Sequence, residues 1–502
     1  MTITYTLNAR LDDTILITVA GDTLIDRADS DVLVARGLRT DITSDVIQSS
    51  VSWEKGITGK GPQDRIATTG SLNLSVRNGL NNSTGLLGAY SPDNTNCRPG
   101  WTIGAGLQLI ETNGTTPKYT YWRIAEIEPE MGLYGSRKVN VRAVDFIDQM
   151  SSQKIDSLAV QTNKTGAEIL TYVIGSMVIT PNVATIGTST YTLPAALDAT
   201  EKDESTTIYS VINKVVMSDM GMFYSPADTT YGETVKYDSY GAWTGRTSSG
   251  TFDNTMQGLN VTRNAEKVFN DCRVTVNPRR VDTTDGTLTQ LDYEMTLVAS
   301  GTANINLRYI DQSSAVRVAA YSTLPQVSAT DYRFSSTSGG TASDLNANLG
   351  ITLDLSSGNT ANAIVQNNGT VTGYLNLFQI RGKGIKTYTQ IEAVASNNAS
   401  IAQYGRKTLR YVMPYQSDPI VGQAFANTFL EKYKQPSSDV DGLKYITSTS
   451  AFEVASMTYN IGDKITLSET VAGFSSKNFY IISERHTLEL NHAIIEYGLL
   501  PE

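Results

Sequence analysis

Cysteine, histidine and positive charge are all scarce in this chain of 502 residues, and each scarcity excludes something. Two cysteines, Cys97 and Cys272, cannot build a disulfide framework for such a length, and they lack the paired spacing of a zinc site, so both are expected as free, buried thiols. The two histidines, His486 and His492, lie six apart around Asn491 in what reads as a hairpin. No third or fourth metal ligand and no nucleophile stands beside them, so both are expected at the surface or rim. Lys plus Arg number 40 against 50 Asp plus Glu, a net charge of -10. That balance excludes a general attraction to phosphate backbones or acidic membranes and leaves room only for a local basic groove. Met1 to Thr6 has neither a basic region nor a continuous apolar run, so no secretion signal is expected. The longest uncharged stretch, Ile169 to Leu197, is interrupted by Gly175, Pro181, Gly187 and Pro194, and no membrane span is expected from it.

What is present is a folded composition: 40% apolar and 18% charged residues, with 40 Gly and 26 Tyr, enough chain for about three or four domains. Apolar and polar residues alternate in Ile124–Glu128, Val139–Val144 and Ile351–Leu355, the period of strands with one face on a core. Between such runs stand Asn78-Gly79, Asn113-Gly114, Asn368-Gly369, Asp285-Gly286 and Asp441-Gly442, pairs that tolerate the backbone of tight turns. Three stretches switch to a helical period. Thr165 to Glu168 has the form of a capping box, followed by Ile169, Leu170, Val173, Ile174 and Met177 on one face. Ser205 can cap a second helix, striped by Ile208, Val211, Ile212, Val215 and Val216 and stopped at Gly221. A third begins near Ser417-Asp418-Pro419, turns Val421, Ala424, Phe425 and Phe429 inward and ends before Pro436. The fold class is therefore mainly β and multidomain, with a few short helices and an α+β middle segment. The expected divisions are 1–155, a β domain; 156–280, an α+β segment; 281–390, a β-rich Ser/Thr/Asn-rich domain or insertion; and 391–502, a helix followed by a closing β domain. Ser335–Asn348 reads as loop, and no fixed-period repeat suggests a solenoid or propeller.

A search for chemistry returns only imperfect patterns. Gly56-Ile57-Thr58-Gly59-Lys60-Gly61 has a phosphate loop's glycines at the wrong spacing, with Gly61 where Ser or Thr must reach magnesium. Arg381-Gly382-Lys383-Gly384 starts a dinucleotide pattern that Thr387 breaks, and Gly473-Phe474-Ser475-Ser476 ends in Lys477 where a nucleophile elbow needs glycine. Asp26, Asp29 and Asp31 lack the glycine turn and distal Glu of a calcium loop and read as a solvated turn. Glu126, Glu128 and Glu130 have the strand spacing a glycosidase pair would need, but a polar strand face is the commoner use of that pattern. Asn-x-Ser/Thr triplets at Asn81, Asn260 and Asn398 matter only in a secreted eukaryotic protein. The reading is non-enzymatic, with no catalytic, cofactor-binding or metal residues assigned.

The order of segments says more than any one motif. Gly70-Ser71-Leu72-Asn73-Leu74-Ser75-Val76-Arg77-Asn78, then Tyr90-Ser91-Pro92, Pro99-Gly100 and Tyr121-Trp122-Arg123-Ile124-Ala125-Glu126-Ile127 resembles the first domain of bacteriophage tail-tip hub proteins, the minor tail proteins. Gly221-Met222-Phe223-Tyr224 and Ala265 to Val274 agree with it downstream. Leu375 to Lys383, with an Arg-Gly corner, Ser400-Ile401-Ala402-Gln403-Tyr404-Gly405-Arg406, Ile461-Gly462-Asp463-Lys464-Ile465-Thr466-Leu467 and Phe479 to Ser483 continue the set in order. This family is similar to contractile baseplate hubs. The resemblance implies a homotrimeric ring with two barrel-like β domains per subunit, placed here in the N- and C-terminal β segments. It implies as partners a distal tail or tail tube protein, tail fibre or spike proteins and a tape measure protein. Phage DNA would pass through the channel without specific binding, helped by carboxylates in the lumen. Location would be the virion tail tip, after assembly in the host bacterial cytoplasm. Two rival functions are a receptor-binding module contacting glycans through 281–370 and a tail-associated cell-wall hydrolase using Glu126 and Glu128.

Overall fold

The computed structural model describes residues 3–11, 39–131, 137–155, 158–198, 206–227, 232–310, 319–490 and 492–502. Among the described residues 45% lie in strands and 17% in helices, so the fold is mainly β, with several sheets and domains. The largest sheet has thirteen strands among the described residues, and both ends of the chain contribute to it. Its path runs from Gly258–Thr262 through Asp439–Ile446, Ala493–Pro501 and Phe474–Leu488 to Ser52–Gly56. It continues through Thr68–Arg77, Lys138–Val144, Pro117–Pro129, Gly106–Thr112 and Thr4–Arg10 to Arg39–Asp41. Lys464–Glu469 pairs with Phe474–Leu488 off this path and carries Ser248–Phe252 in parallel.

The N- and C-terminal strands meet where Ser52–Gly56 lies antiparallel to Phe474–Leu488, with Trp53 opposite His486 and Lys55 opposite Glu484. One apolar core covers this junction. Leu7, Trp53, Leu72, Leu109, Trp122 and Val141 from the first part pack with Leu443, Tyr445, Ile481, Ile495, Tyr497 and Leu499 from the last. Each large side chain buried there contributes about 1.5–3 kcal/mol. The outer β segments expected as a pair of barrels thus share a sheet and a core.

The three helices expected from periodicity are present, with local differences. Thr165 and Glu168 make the reciprocal capping box, and Gly166–Gly175 buries Ile169, Leu170, Val173 and Ile174. The second helix is Ile208–Asp219, and the whole expected stripe is buried. Its cap is Thr207, whose hydroxyl accepts from Ser210 N at 3.3 Å; Ser205 lies outside the described residues. The chain leaves this helix through Met220 at φ 56°, not through a left-handed Gly221. Gly221 is needed for close approach, since a Cβ there would lie 2.4 Å from Tyr237 Cε2. In Pro419–Tyr433 the Asp418 carboxylate caps Ile420 N at 2.8 Å. Phe425 and Phe429 face inward as expected, whereas Ala424 is exposed and Gly422, Ala426 and Leu430 complete the buried face. This helix packs on the strands Asp271–Val276, Ile391–Ser396 and Thr408–Met413.

Residues 279–387 form two further sheets around their own core, including Leu297, Leu307, Phe334, Val365 and Phe378, organised by the long strand Gly373–Thr387. The expected loop after Ser335 is held by buried Asn346, whose Oδ1 accepts from Phe334 N at 2.6 Å. Asn113-Gly114 turns a hairpin as expected. Asp441-Gly442 instead lies inside Asp439–Ile446, at a bulge where the register against Asn260 and Val261 shifts.

Candidate functional site

A row of buried charged side chains lies at the junction of the two chain ends. Inward phase along the strands places Glu111, Lys118, Glu484 and His486 on the core side, each no more than 4% exposed. Trp53 Nε1 donates to Glu111 Oε1 at 2.5 Å, and Glu111 Oε2 meets His486 Nδ1 at 2.8 Å. His486 Nε2 lies 2.8 Å from Glu484 Oε1, an ion-pair approach whose alignment falls outside a hydrogen bond. Glu484 closes the chain on Lys118, whose ammonium also donates to Ser456 O at 3.2 Å and Tyr459 O at 2.9 Å, at the end of the helix Ser450–Thr458. The His486 ring stacks on Trp53 with centroids 4.2 Å apart.

Two carboxylates thus face two cations in a row. Burial opposes the charged imidazole, but Glu111 and then Glu484 outweigh it and hold His486 above its ordinary value. Burial likewise opposes the Glu484 carboxylate, and Lys118 followed by His486 pulls it below the usual range. Nearby, burial pushes the Lys55 amine down, with its Nζ 4.5 Å from the Trp122 ring, and raises Asp145 to about 6 although Gly70 N donates to it at 3.0 Å. The row is sealed in the core, so what it can do is fix strand register and hold the two chain ends together.

His486 is therefore a correction to the surface position expected for it: it is fully buried because it continues the inward phase of Leu488 and Glu484. His492 is half-buried and stays apart from that row. Alternation around Leu488 could have revealed Glu484 and His486, and alternation around Trp122 could have revealed Lys118; their pairing is not visible in the sequence.

The other candidates are dispersed. The 56–61 loop is filled by its own acid: Gly61 N donates to Asp64 Oδ2 at 2.8 Å, a Cβ on Gly59 would meet that carboxylate, and Lys60 Nζ donates to Val440 O at 2.7 Å. Arg381 to Gly384 lie within Gly373–Thr387, and Arg381 grips Asp331 through Nε at 2.5 Å and Nη2 at 3.0 Å. Gly473, at φ 69°, turns the chain into Phe474–Leu488, and Ser475 and Ser476 are exposed. Asp26, Asp29 and Asp31 lie outside the described residues. Glu126, Glu128 and Glu130 are all exposed, Glu126 and Glu128 opposite Arg142 and Asn140 across a bulge, and Glu130 3.6 Å from Lys138. Cys272 is buried and its thiol is pushed up to about 12 by burial; Cys97 is only half-buried. Asn81, Asn260 and Asn398 are exposed. Among the described residues no three His, Cys, Asp or Glu side chains group so as to hold a metal ion, and no helix is long and apolar enough to cross a membrane.

No family model and no curated protein matches the sequence. Among solved structures, the chain is similar to the 43 kDa tail protein of prophage MuSo2 from Shewanella oneidensis, at 8% identity and a TM-score of 0.46, covering 99% of this chain and 98% of that one. A tail protein from Neisseria meningitidis MC58 matches at 7% identity and a TM-score of 0.47, covering 99% and 96% of the two chains. An E. coli type VI secretion component, described as structurally similar to the T4 bacteriophage tail proteins gp27 and gp5, matches at 8% identity and a TM-score of 0.36, covering 91% and 74%.

Proposed function

We propose that the chain is a structural subunit of a phage or prophage tail, the hub at the tail tip or baseplate. In this reading three copies form a ring that joins the tail tube or distal tail ring above to fibre or spike proteins below and surrounds the DNA exit channel. One observation carries it. The main path of the thirteen-stranded sheet built from both chain ends terminates at Gly258–Thr262 on one side and Arg39–Asp41 on the other, each paired on one side only among the described residues, and its branch ends at Ser248–Phe252. An open strand edge is a template for a neighbouring chain, and joining one edge to the other is a heterologous contact, which makes a ring when its rotation closes around an axis. The internally neutralised row at the chain-end junction suits a subunit that works by shape and holds it under load. The order of sequence motifs that resembles tail-tip hubs points the same way.

Light scattering on the full chain of 54.4 kDa tests the stoichiometry. A mass of about three chains is expected, and antibody labelling of particles is expected at the narrow end of the tail. A lone subunit both in solution and in the particle overturns the reading. In an assembled ring the lumen is expected to be acidic, repelling DNA phosphates at close range; a strongly basic lumen in a reconstruction contradicts it.

A second reading, receptor binding, is favoured by a separate observation. Tyr293, Tyr321 and Tyr388, on or just beyond the 279–387 sheets, are 58%, 45% and 50% exposed, and exposed aromatic faces suit sugar rings. Binding on a glycan array, lost in a chain lacking these three rings, supports that role; a blank array removes it. Hydrolysis of cell wall is not expected, and clearing of peptidoglycan that disappears in Glu128→Gln would reverse the non-enzymatic assignment.

A further inference from the structure

The loop after Ser52–Gly56, the helix Tyr240–Thr244, the second half of Pro419–Tyr433 and the end of Ala493–Pro501 enclose a cleft of about 770 Å³. A second of about 340 Å³ adjoins it, and the two share Gly61, Lys432, Tyr433, Leu500 and Glu502, so they are chambers of one groove. Trp243, Phe429 and Tyr480 give the larger chamber an apolar wall, and Pro62 and Phe269 do so in the smaller.

Two cations face this groove without a carboxylate partner among the described residues. Arg65 is 6% exposed; its Nε donates to Pro62 O at 2.9 Å, its guanidinium lies 5.4 Å from the Trp243 ring centre, and Nη1 has no partner. Lys432, at the boundary of the two chambers, donates to Pro501 O at 2.6 Å. Burial and the neighbouring Arg65 push its amine down to about 8, against the opposing pull of Asp439 and Glu502. The carboxylates lining the groove are engaged elsewhere: Glu431 with Lys434 at 2.6 Å, Glu502 with Lys464 and, at 2.7 Å, Asn478, and, in the smaller chamber, Asp439 with Lys267 at 2.6 Å and Glu266 with the Asn264 amide at 3.2 Å. A buried guanidinium with idle donors is costly in isolation, and its planar fork matches a carboxylate.

We propose that this groove docks an extended segment of a partner polypeptide in which an acidic side chain, flanked two residues away on each side by apolar ones, bridges Arg65 and Lys432. Along an extended chain every second side chain points to the same face, so one apolar group enters each chamber while the carboxylate meets Lys432 at their boundary and Arg65 on the larger chamber's side. A compact free anion would neutralise the cations and leave both chambers empty. The proposal stands whether or not the chain is a trimeric hub: a monomeric mass leaves it intact, and its failure leaves the ring intact.

Calorimetric titration of the full chain near neutral pH tests it. The probe is a capped serine-based heptapeptide with leucine, glutamate and phenylalanine at its second, fourth and sixth positions. Its isostere carries glutamine in place of glutamate, and inorganic phosphate is the third ligand. The glutamate peptide is expected to bind about tenfold or more tightly than its isostere, and Arg65→Met and Lys432→Met are each expected to weaken it by about the same factor. Lys432 is only half-buried, so its variant keeps the test alive if Arg65→Met does not fold. Equal affinity for the two peptides overturns the proposal, as do no binding of either up to about 1 mM, folded variants that bind like the parent, or phosphate that displaces the peptide mole for mole.

Discussion

The Glu111–His486–Glu484–Lys118 row places two acids and two cations in a core where any one of them alone would be expensive. Lys118→Met removes the ammonium that neutralises Glu484. It is expected to destabilise the protein by about 3 kcal/mol, the low end for breaking a buried pair because His486 still faces the same carboxylate. The double variant Lys118→Met with Glu484→Gln is expected to recover part of that loss, as read by denaturant unfolding. The pH dependence follows from the directions of the shifts. His486 is raised above its ordinary 6.5, so its contribution is complete below that value and is lost as pH climbs through the folded pKa. Glu484 is lowered below its ordinary 4.5, so its contribution is complete above that value and is lost as pH falls through the folded pKa. The row therefore helps most between about 4.5 and 6.5. Melting temperature is expected to fall as pH rises beyond that window, and His486→Gln is expected to reduce this alkaline slope. An unchanged slope would mean that His486 is not the titrating group.

Helices and strands were legible to the extent that their signals are local. Thr165 and Glu168 announce a helix start within four residues, and the cap they make is present; Thr165→Ala is expected to cost about 1 kcal/mol by thermal unfolding. The end of Ile208–Asp219 was legible only in outline. Gly221 marks the right place for a different reason, because Met220 takes the left-handed turn while Gly221 lets the Tyr237 ring approach. Gly221→Ala is therefore expected to destabilise by about 1–3 kcal/mol through overpacking. A Cβ there would also lie 2.7 Å from the backbone oxygen of Asp238, so trimming the ring with Tyr237→Leu is expected to recover only part of that loss. Ala424 is exposed and Ala426 buried for a similar reason. The helical period allows either inside, and the close approach at Gly422, where a Cβ would lie 2.9 Å from Val276 Cγ1, sets the rotation.

At the scale of the whole molecule, the edges of the large sheet that have no further neighbour among the described residues are where assembly is expected to act. Lysine on an edge strand discourages pairing with another chain. Asn260→Lys, at an exposed position on Gly258–Thr262, is expected to reduce the mass measured by light scattering to that of one chain while leaving the melting temperature nearly unchanged. A mass unchanged by that substitution would move the ring contact away from this edge.

The amino-acid sequence alone determined that the protein is mainly β, where its helices punctuate the strands, and that its net charge is acidic, because these depend on periods of two and 3.6 residues, on caps and on counting. It also held, in the inward phase of Lys118, Glu484 and His486, an unread sign that charge enters the core. Only the tertiary structure decided that residues 52–56 pair with 483–487, that His486 stacks on Trp53, and that Arg65 and Lys432 face one groove. Many strands offer a compatible alternating face. Which two become neighbours across more than four hundred residues is chosen by packing the whole core, and no local pattern records that choice.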